Sequence, residues 1–115
     1  MHELSVATAI LNTAVKHAGD RPVKVVALRV GAMRQVVPES LLFYWEIVAR
    51  DSVCEDARLE LEHTAARLRC DRCLEEWEPE VLSFRCPGCA GDNVTIIGGE
   101  ELSVEYLELR EAVHA

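Results

Sequence analysis

Two Cys-x-x-Cys pairs, Cys70 with Cys73 and Cys86 with Cys89, constrain this 115-residue chain more than any other feature. They lie in the segment 67–93, which holds four of the five cysteines, two prolines and a thin scatter of apolar residues. A stretch of that composition cannot order itself by hydrophobic burial alone. Two thiolates separated by two residues can grip one ion from a tight turn, and two such turns complete a tetrahedral sulfur site with metal–sulfur distances of ~2.3 Å. The 12 residues between the pairs match a zinc ribbon, and Pro87-Gly88 inside the second pair supports the turn. Four protein ligands leave no open position, so the expectation is structural Zn(II) whose binding free energy becomes folding free energy. A disulfide or thioredoxin-like pair would need a preceding βαβ pattern, which is absent from the sequence, and an iron–sulfur or pure nickel thiolate site is less common.

Charge narrows the function classes. With 20 Asp+Glu against 12 Lys+Arg the net charge is -8, a surface that repels polyphosphate backbones. The segment 67–93 itself carries six acids against four arginines, and four thiolates around one divalent ion add about -2. Nucleic acid is therefore not an expected partner, and Trp77 and Phe84 are expected to fill core rather than stack on bases. The longest apolar runs, such as Leu41 to Trp45, fall far short of the ~20 residues a membrane span needs. No charged start followed by an apolar block marks a secretory signal, so the expected location is the cytoplasm, where clustered thiols mean metal more often than disulfide.

Hydrophobic periodicity supplies the body. Leu4, Ala7, Ile10, Leu11, Ala14, Val15 and Ala18 recur at spacings of three and four, predicting a helix that Gly19 stops with Pro22 close behind. Val23 to Val30 is β-branched and dense, a strand with Val26, Leu28 and Val30 on one side and Ala27 and Arg29 on the other, ending at Gly31. Pro38 suits the first turn of a second helix, whose buried face is Leu41, Trp45 and Val48 and whose end falls near Arg50. Cys54, beyond that end, reads as a small buried side chain. Leu59 and Leu61 alternate with Arg58, Glu60 and Glu62, a strand with one wet face. Val94 to Ile97 gives a short strand leading through Gly98 and Gly99 back to the body. Leu102, Val104 and Tyr106 then alternate with Glu101, Ser103 and Glu105 until the phase slips at Leu107 and Leu109, the mark of a bulge or a strand end.

The other chemically distinctive residues open the chain. In Met1-His2-Glu3 the α-amine, the amide nitrogen of His2 and its imidazole can close two fused chelate rings around one ion, with three nitrogens in one plane. Planar nitrogen coordination selects Ni(II) or Cu(II) over Zn(II), and a fourth open position lets the ion be handed on. The amine (reference pKa ~7.7 to 8.0) and the imidazole (~6.5) must be deprotonated, so affinity should fall in mild acid. A surface histidine near a chain start is common, and position two alone does not decide for metal. His17 reads as a helix-surface residue, His63 as a strand residue and His114 as part of a tail.

Taken in order, Met1-His2-Glu3, Val30-Gly31, Pro38-Glu39, the two cysteine pairs and Gly98-Gly99-Glu100-Glu101-Leu102 give the whole chain a resemblance to the HypA/HybF family of hydrogenase-maturation nickel metallochaperones. The resemblance implies a cytosolic protein that binds nickel at its N-terminus, carries structural zinc, and works with a HypB-type GTPase to load nickel into the large subunit of NiFe hydrogenase. It carries His2 over as the nickel-binding residue, with backbone nitrogens of Met1, His2 and Glu3 around it, and Cys70, Cys73, Cys86 and Cys89 as zinc ligands. Some such proteins recruit an extra carboxylate near the start of the second helix. This chain has Pro38-Glu39 there, and only Glu39 offers a ligand.

The expected architecture is α/β in the α+β sense: two helices on a small mixed three-stranded sheet from 23–31, 57–65 and 101–109, with an inserted four-cysteine zinc ribbon. Residues 1–66 and 94–115 form the expected nickel-binding α/β domain and residues 67–93 the inserted zinc-binding domain. No serine, cysteine or carboxylate pair is arranged as a catalytic constellation, which suits a carrier better than an enzyme. The rival readings are a zinc-ribbon adaptor that binds protein or nucleic acid without nickel, and a small hydrolase, which would need an open zinc position.

Overall fold

A computed structural model describes residues 3–80 and 83–111. The elements run α1 (Glu3–Ala18), β1 (Val23–Gly31), a 3-10 turn (Ala32–Arg34), α2 (Pro38–Val48), β2 (Arg58–Thr64), β3 (Arg67–Cys70), β4 (Glu76–Trp77), β5 (Val94–Gly98) and β6 (Leu102–Leu109). They form two three-stranded sheets, ordered β2-β1-β6 and β4-β3-β5. The first is mixed as expected, β2 lying parallel to β1 and β6 antiparallel to it. Both helices pack on one face of that sheet.

Burial explains the helices. Val6, Ala7, Ile10, Ala14 and Ala18 of α1 are buried, and the three alanines let the helix lie close on its neighbours. Ala7, Ile10, Ala14 and Ala18 are buried as expected and Leu11 is half-buried against the core, but Leu4 and Val15 are exposed and Val6 is buried in their stead. Pro38 opens α2 as expected, Leu41 and Trp45 are its fully buried pair, and Val48 is half-buried at the edge of the core. The Trp45 indole N–H, out of water, donates to the Ala57 carbonyl at 2.9 Å and fixes α2 to the entry of β2. Cys54 is completely buried beneath the connecting loop, and burial pushes its thiol pKa up.

Two register shifts set the sheet. Leu28 pairs with Val104 but Ala27 with Tyr106, so Glu105 is an extra residue on β6. The bulge returns Leu107 and Leu109 to the core and turns Tyr106 outward, where it is exposed. Tyr106 therefore leaves the face on which simple alternation placed it. The sheet's other face carries exposed ion pairs such as Arg29 with Glu62 and Lys24 with Glu108, both at 3.6 Å, while Val25 and Ala27 are buried.

Within 67–98 the sequence pattern left two strands unseen. β3 pairs with β4 through Leu68 and Trp77, and with β5 from Cys70 opposite Val94 to Arg67 opposite Gly98. The strand at Val94–Gly98 thus joins the cysteine-bearing sheet. Leu68 is the buried centre of that sheet and Trp77 is half-buried against it, but Phe84 is exposed and fills no core.

The radius of gyration is 18.0 Å against about 13 Å for a compact chain of this size. The molecule measures 67 × 21 × 19 Å, with the two sheets joined by two adjacent connections, Ala65-Ala66 and Gly99 to Glu101. Gly31 N–H donates to Glu101 O at 2.6 Å and Met33 N–H to Gly99 O at 2.8 Å. Arg34 Nε donates to Glu100 O at 2.6 Å, and the Glu101 carboxylate accepts the Gly99 N–H at 3.1 Å. A Cβ on Gly31 would collide with the Gly99 backbone, so the Gly31 and Gly99 of the sequence motif are where two backbones meet.

Candidate metal centre

The four cysteines of the two pairs are brought together at the tip of the small sheet, with every sulfur within 4.8 Å of every other. Cys70 ends β3, and its backbone places it facing the second pair. Cys70 and Cys89 sulfurs are 3.6 Å apart, and Cys73 and Cys86 sulfurs 3.5 Å. A tetrahedron with ~2.3 Å metal–sulfur bonds has edges of about 3.8 Å, so one ion of zinc's size fits among these sulfurs.

The two turns are built alike. In the first, Leu74 N–H donates to Cys70 O at 2.9 Å and Cys70 N–H to Glu75 O at 2.8 Å. In the second, Ala90 N–H donates to Cys86 O at 2.8 Å and Cys86 N–H to Gly91 O at 2.9 Å. The residue after each second cysteine is left-handed, Leu74 at φ 65° and Ala90 at φ 59°. Backbone N–H groups also point at sulfur: Cys73 N lies 3.5 Å from Cys70 Sγ, and Gly88 N 3.3 Å from Cys86 Sγ. Such donors stabilise thiolate.

The sulfurs compete for charge. The Cys70 thiol is drawn down to about 7, chiefly by the Cys73 backbone N–H. The Cys73 thiol is pushed up to about 12: the Glu75 N–H favours its thiolate, but the neighbouring sulfurs of Cys86, Cys70 and Cys89 and the loss of water outweigh it. Four thiolates this close cannot all ionise against one another without a cation, and a divalent ion removes the conflict. Cys70 and Cys86 are buried, Cys89 half-buried and Cys73 exposed.

Other residues around the cluster carried no signal in the sequence. The Glu75 carboxylate stands 4.0 Å from Cys86 Sγ. Asp71, inside the first turn, accepts from the Thr95 hydroxyl at 2.8 Å, and its N–H donates to Asn93 O at 2.9 Å, which ties the turn to β5.

The second expected site falls mostly outside the described residues. Glu3 lies in the first turn of α1, while Met1 and His2 fall outside the described residues. A shallow cleft lined by Val6 and Ile10 of α1 and by Leu102 and Val104 places the first half of that helix over the start of β6, next to the Gly99–Glu101 connection. Glu39 is exposed on the first turn of α2. His17 and His63 are exposed on α1 and β2, and His114 falls outside the described residues. The only group of three or more potential metal ligands gathered among the described residues is the four cysteines.

A family model described as "Hydrogenase/urease nickel incorporation, metallochaperone, hypA" matches residues 1–109. The chain belongs to the HypA family. A "Hydrogenase maturation factor HypA" of Geobacter sp. (strain M21) is 37% identical over 109 residues, covering 95% of this chain and 99% of its own. The protein of the same description from Streptomyces avermitilis is 40% identical over 111 residues, covering 90% and 83%. The solution structure of the Ni metallochaperone HypA from Helicobacter pylori matches with a TM-score of 0.66 at 26% identity, over 95% of this chain and 97% of that one. As a HypA protein the chain is a nickel-incorporation metallochaperone of hydrogenase maturation, with an α+β fold and a four-cysteine metal-binding group. Among the described residues no helix is long and apolar enough to cross a membrane.

Proposed function

We propose that this HypA chain takes up Ni(II) at Met1-His2-Glu3 and passes it, together with a HypB-type GTPase, to the large subunit of NiFe hydrogenase in the cytoplasm. Cys70, Cys73, Cys86 and Cys89 hold a resident Zn(II) that orders β3, β4 and β5. The observation that carries the reading is the family match from residue 1, which takes in the histidine at position two. The two metals divide by donor chemistry. Four thiolates form a closed set suited to an ion that stays, whereas three planar nitrogens leave a position through which an ion can be exchanged. Glu39, exposed on the first turn of α2, is the carboxylate we propose as a fourth ligand.

Nickel titration of the full chain tests this, with zinc content and far-ultraviolet circular dichroism measured in parallel. His2→Ala is expected to abolish nickel binding and to leave one zinc per chain and the spectrum unchanged. Extension of the chain by one residue before Met1 should do the same, by removing the amine from its place in the chelate. Unchanged nickel affinity in either variant would overturn the N-terminal assignment.

A further inference from the structure

β2 is an edge strand, paired on one side with β1 and on the other side with nothing among the described residues. Its seven residues leave a row of backbone donors and acceptors free, ~3.3 Å per residue, which is a template for another strand. At the start of β2, beside the Trp45–Ala57 hydrogen bond, α2 and the strand leave a gap. A groove of about 540 Å³ opens there, walled by Leu42 and Glu46 of α2 and floored by Trp45, Ala49, Ala57 and Leu59. Leu42 continues outward into Phe43 and Ile47, all three exposed on α2.

The two sides of β2 ask for different chemistry. Toward α2 the strand presents the buried Leu59 and the half-buried Leu61, beside a groove of mixed lining whose exposed apolar wall is Leu42. Away from α2 it presents Glu60 and Glu62 alongside Arg58, and all three are exposed. The groove rim adds Glu46, Asp51 and Asp56, and none of these three is in a salt bridge among the described residues. Arg50 is the one cation on that rim without such a partner, since Arg58 is held by Glu60 at 2.7 Å. A strand laid beside β2 would therefore meet Leu42 and Leu61 with every second side chain and, with the others, Glu60 and Glu62, which already pair with Arg58 at 2.7 Å and Arg29 at 3.6 Å.

We propose that the open edge of β2 and the α2 groove form a docking site for an extended segment of a partner protein in which apolar and basic residues alternate. The segment adds a fourth strand to the β2-β1-β6 sheet, its apolar side chains against Leu42, Trp45 and Leu59 and its lysines or arginines opposite Glu60 and Glu62. Main-chain hydrogen bonds supply affinity and the alternation supplies specificity. This site is separate from the four-cysteine group and does not depend on the nickel reading.

The probe is an eight-residue capped peptide of alternating leucine and lysine, titrated into the full-length protein and followed by fluorescence anisotropy and by backbone amide shifts. N-methylation of the leucines removes the donors on one edge of the peptide, and N-methylation of the lysines those on the other. One of the two methylated peptides should lose binding while the other keeps it, and the shifts should gather on 57–63 and 42–50. Glu60→Lys with Glu62→Lys should weaken binding about tenfold, by turning two cross-strand attractions into repulsions, and Glu46→Gln should weaken it less. These variants should keep the nickel and zinc content of the parent. Equal binding of both methylated peptides would mean attraction by net charge alone, and loss with both would mean a helical or other mode. Either result, or shifts centred elsewhere, overturns the proposal.

Discussion

Leu74 and Ala90 occupy matching places in the two cysteine turns, each left-handed and each directly after the second cysteine of its pair. A side chain there costs about 1–2 kcal/mol relative to glycine's freedom, part of which glycine returns through its more flexible unfolded chain. Leu74 is 69% exposed, so it offers no packing to offset the strain. Leu74→Gly and Ala90→Gly should each raise the stability of the metal-bound turn by up to about 1 kcal/mol. Competition with a chromophoric chelator would read this as slower and weaker metal extraction, and faster extraction would refute it. That the four cysteines would gather was legible in the sequence because two-residue spacing has few other uses. The left-handed positions were not, because leucine and alanine give no sign of positive φ; the closing of each turn around its sulfurs imposes it. Tyr106 is the same lesson at a second position: the slipped phase at Leu107 was visible, but not that the extra residue would be Glu105.

At the scale of elements, the helices and the three strands of the larger sheet were legible because each repeats an apolar period long enough to be read. The edges of the buried face of α1 were not, since Leu4 and Val15 flank the buried row Ala7, Ile10, Ala14 and Ala18 as well as Val6 does, and only the packed sheet decides between them. β3 and β4 were invisible for a different reason. They are four and two residues long, too short to repeat an apolar period, and they lie beside the four-cysteine group. That sets an expectation for metal removal. β5 pairs with β3 and nothing else in the sheets holds it, so chelation should release 94–98 as well as 67–77. Structural zinc contributes about 10–16 kcal/mol in small thiolate sites, more than the few buried residues here can replace. Amide hydrogen exchange after chelator treatment should show protection lost over β3, β4 and β5 and kept in β1, α1 and α2. Protection that survives in β3 and β5 would mean the small sheet stands without its metal.

Across the whole molecule, the two connections between the sheets are the one place where a small backbone change reaches both. They are read from the sequence only as Gly31 and a glycine pair; that Gly31 and Gly99 touch each other across 68 positions of chain is a property of the folded pair of sheets. Gly99 has φ +94°, and a Cβ on it would stand 2.6 Å from Ala66 Cα and 3.0 Å from Ala65 O, in the other connection. Neither contact is with a flexible side-chain end, so the backbones must part. Gly19 serves as the control, since it has φ +66° but nothing within 4 Å of an added Cβ. Gly19→Ala should carry only the left-handed strain of about 1–2 kcal/mol. Gly99→Ala should carry that strain and a crowding cost of about 1–3 kcal/mol besides. It should also weaken the hydrogen bonds from Gly31 and Met33 to this connection, so thermal unfolding should shift further for Gly99→Ala than for Gly19→Ala. The amides of 31–35 should move only in the Gly99 variant, and equal shifts in the two melting temperatures would mean the connections are not in the close contact described.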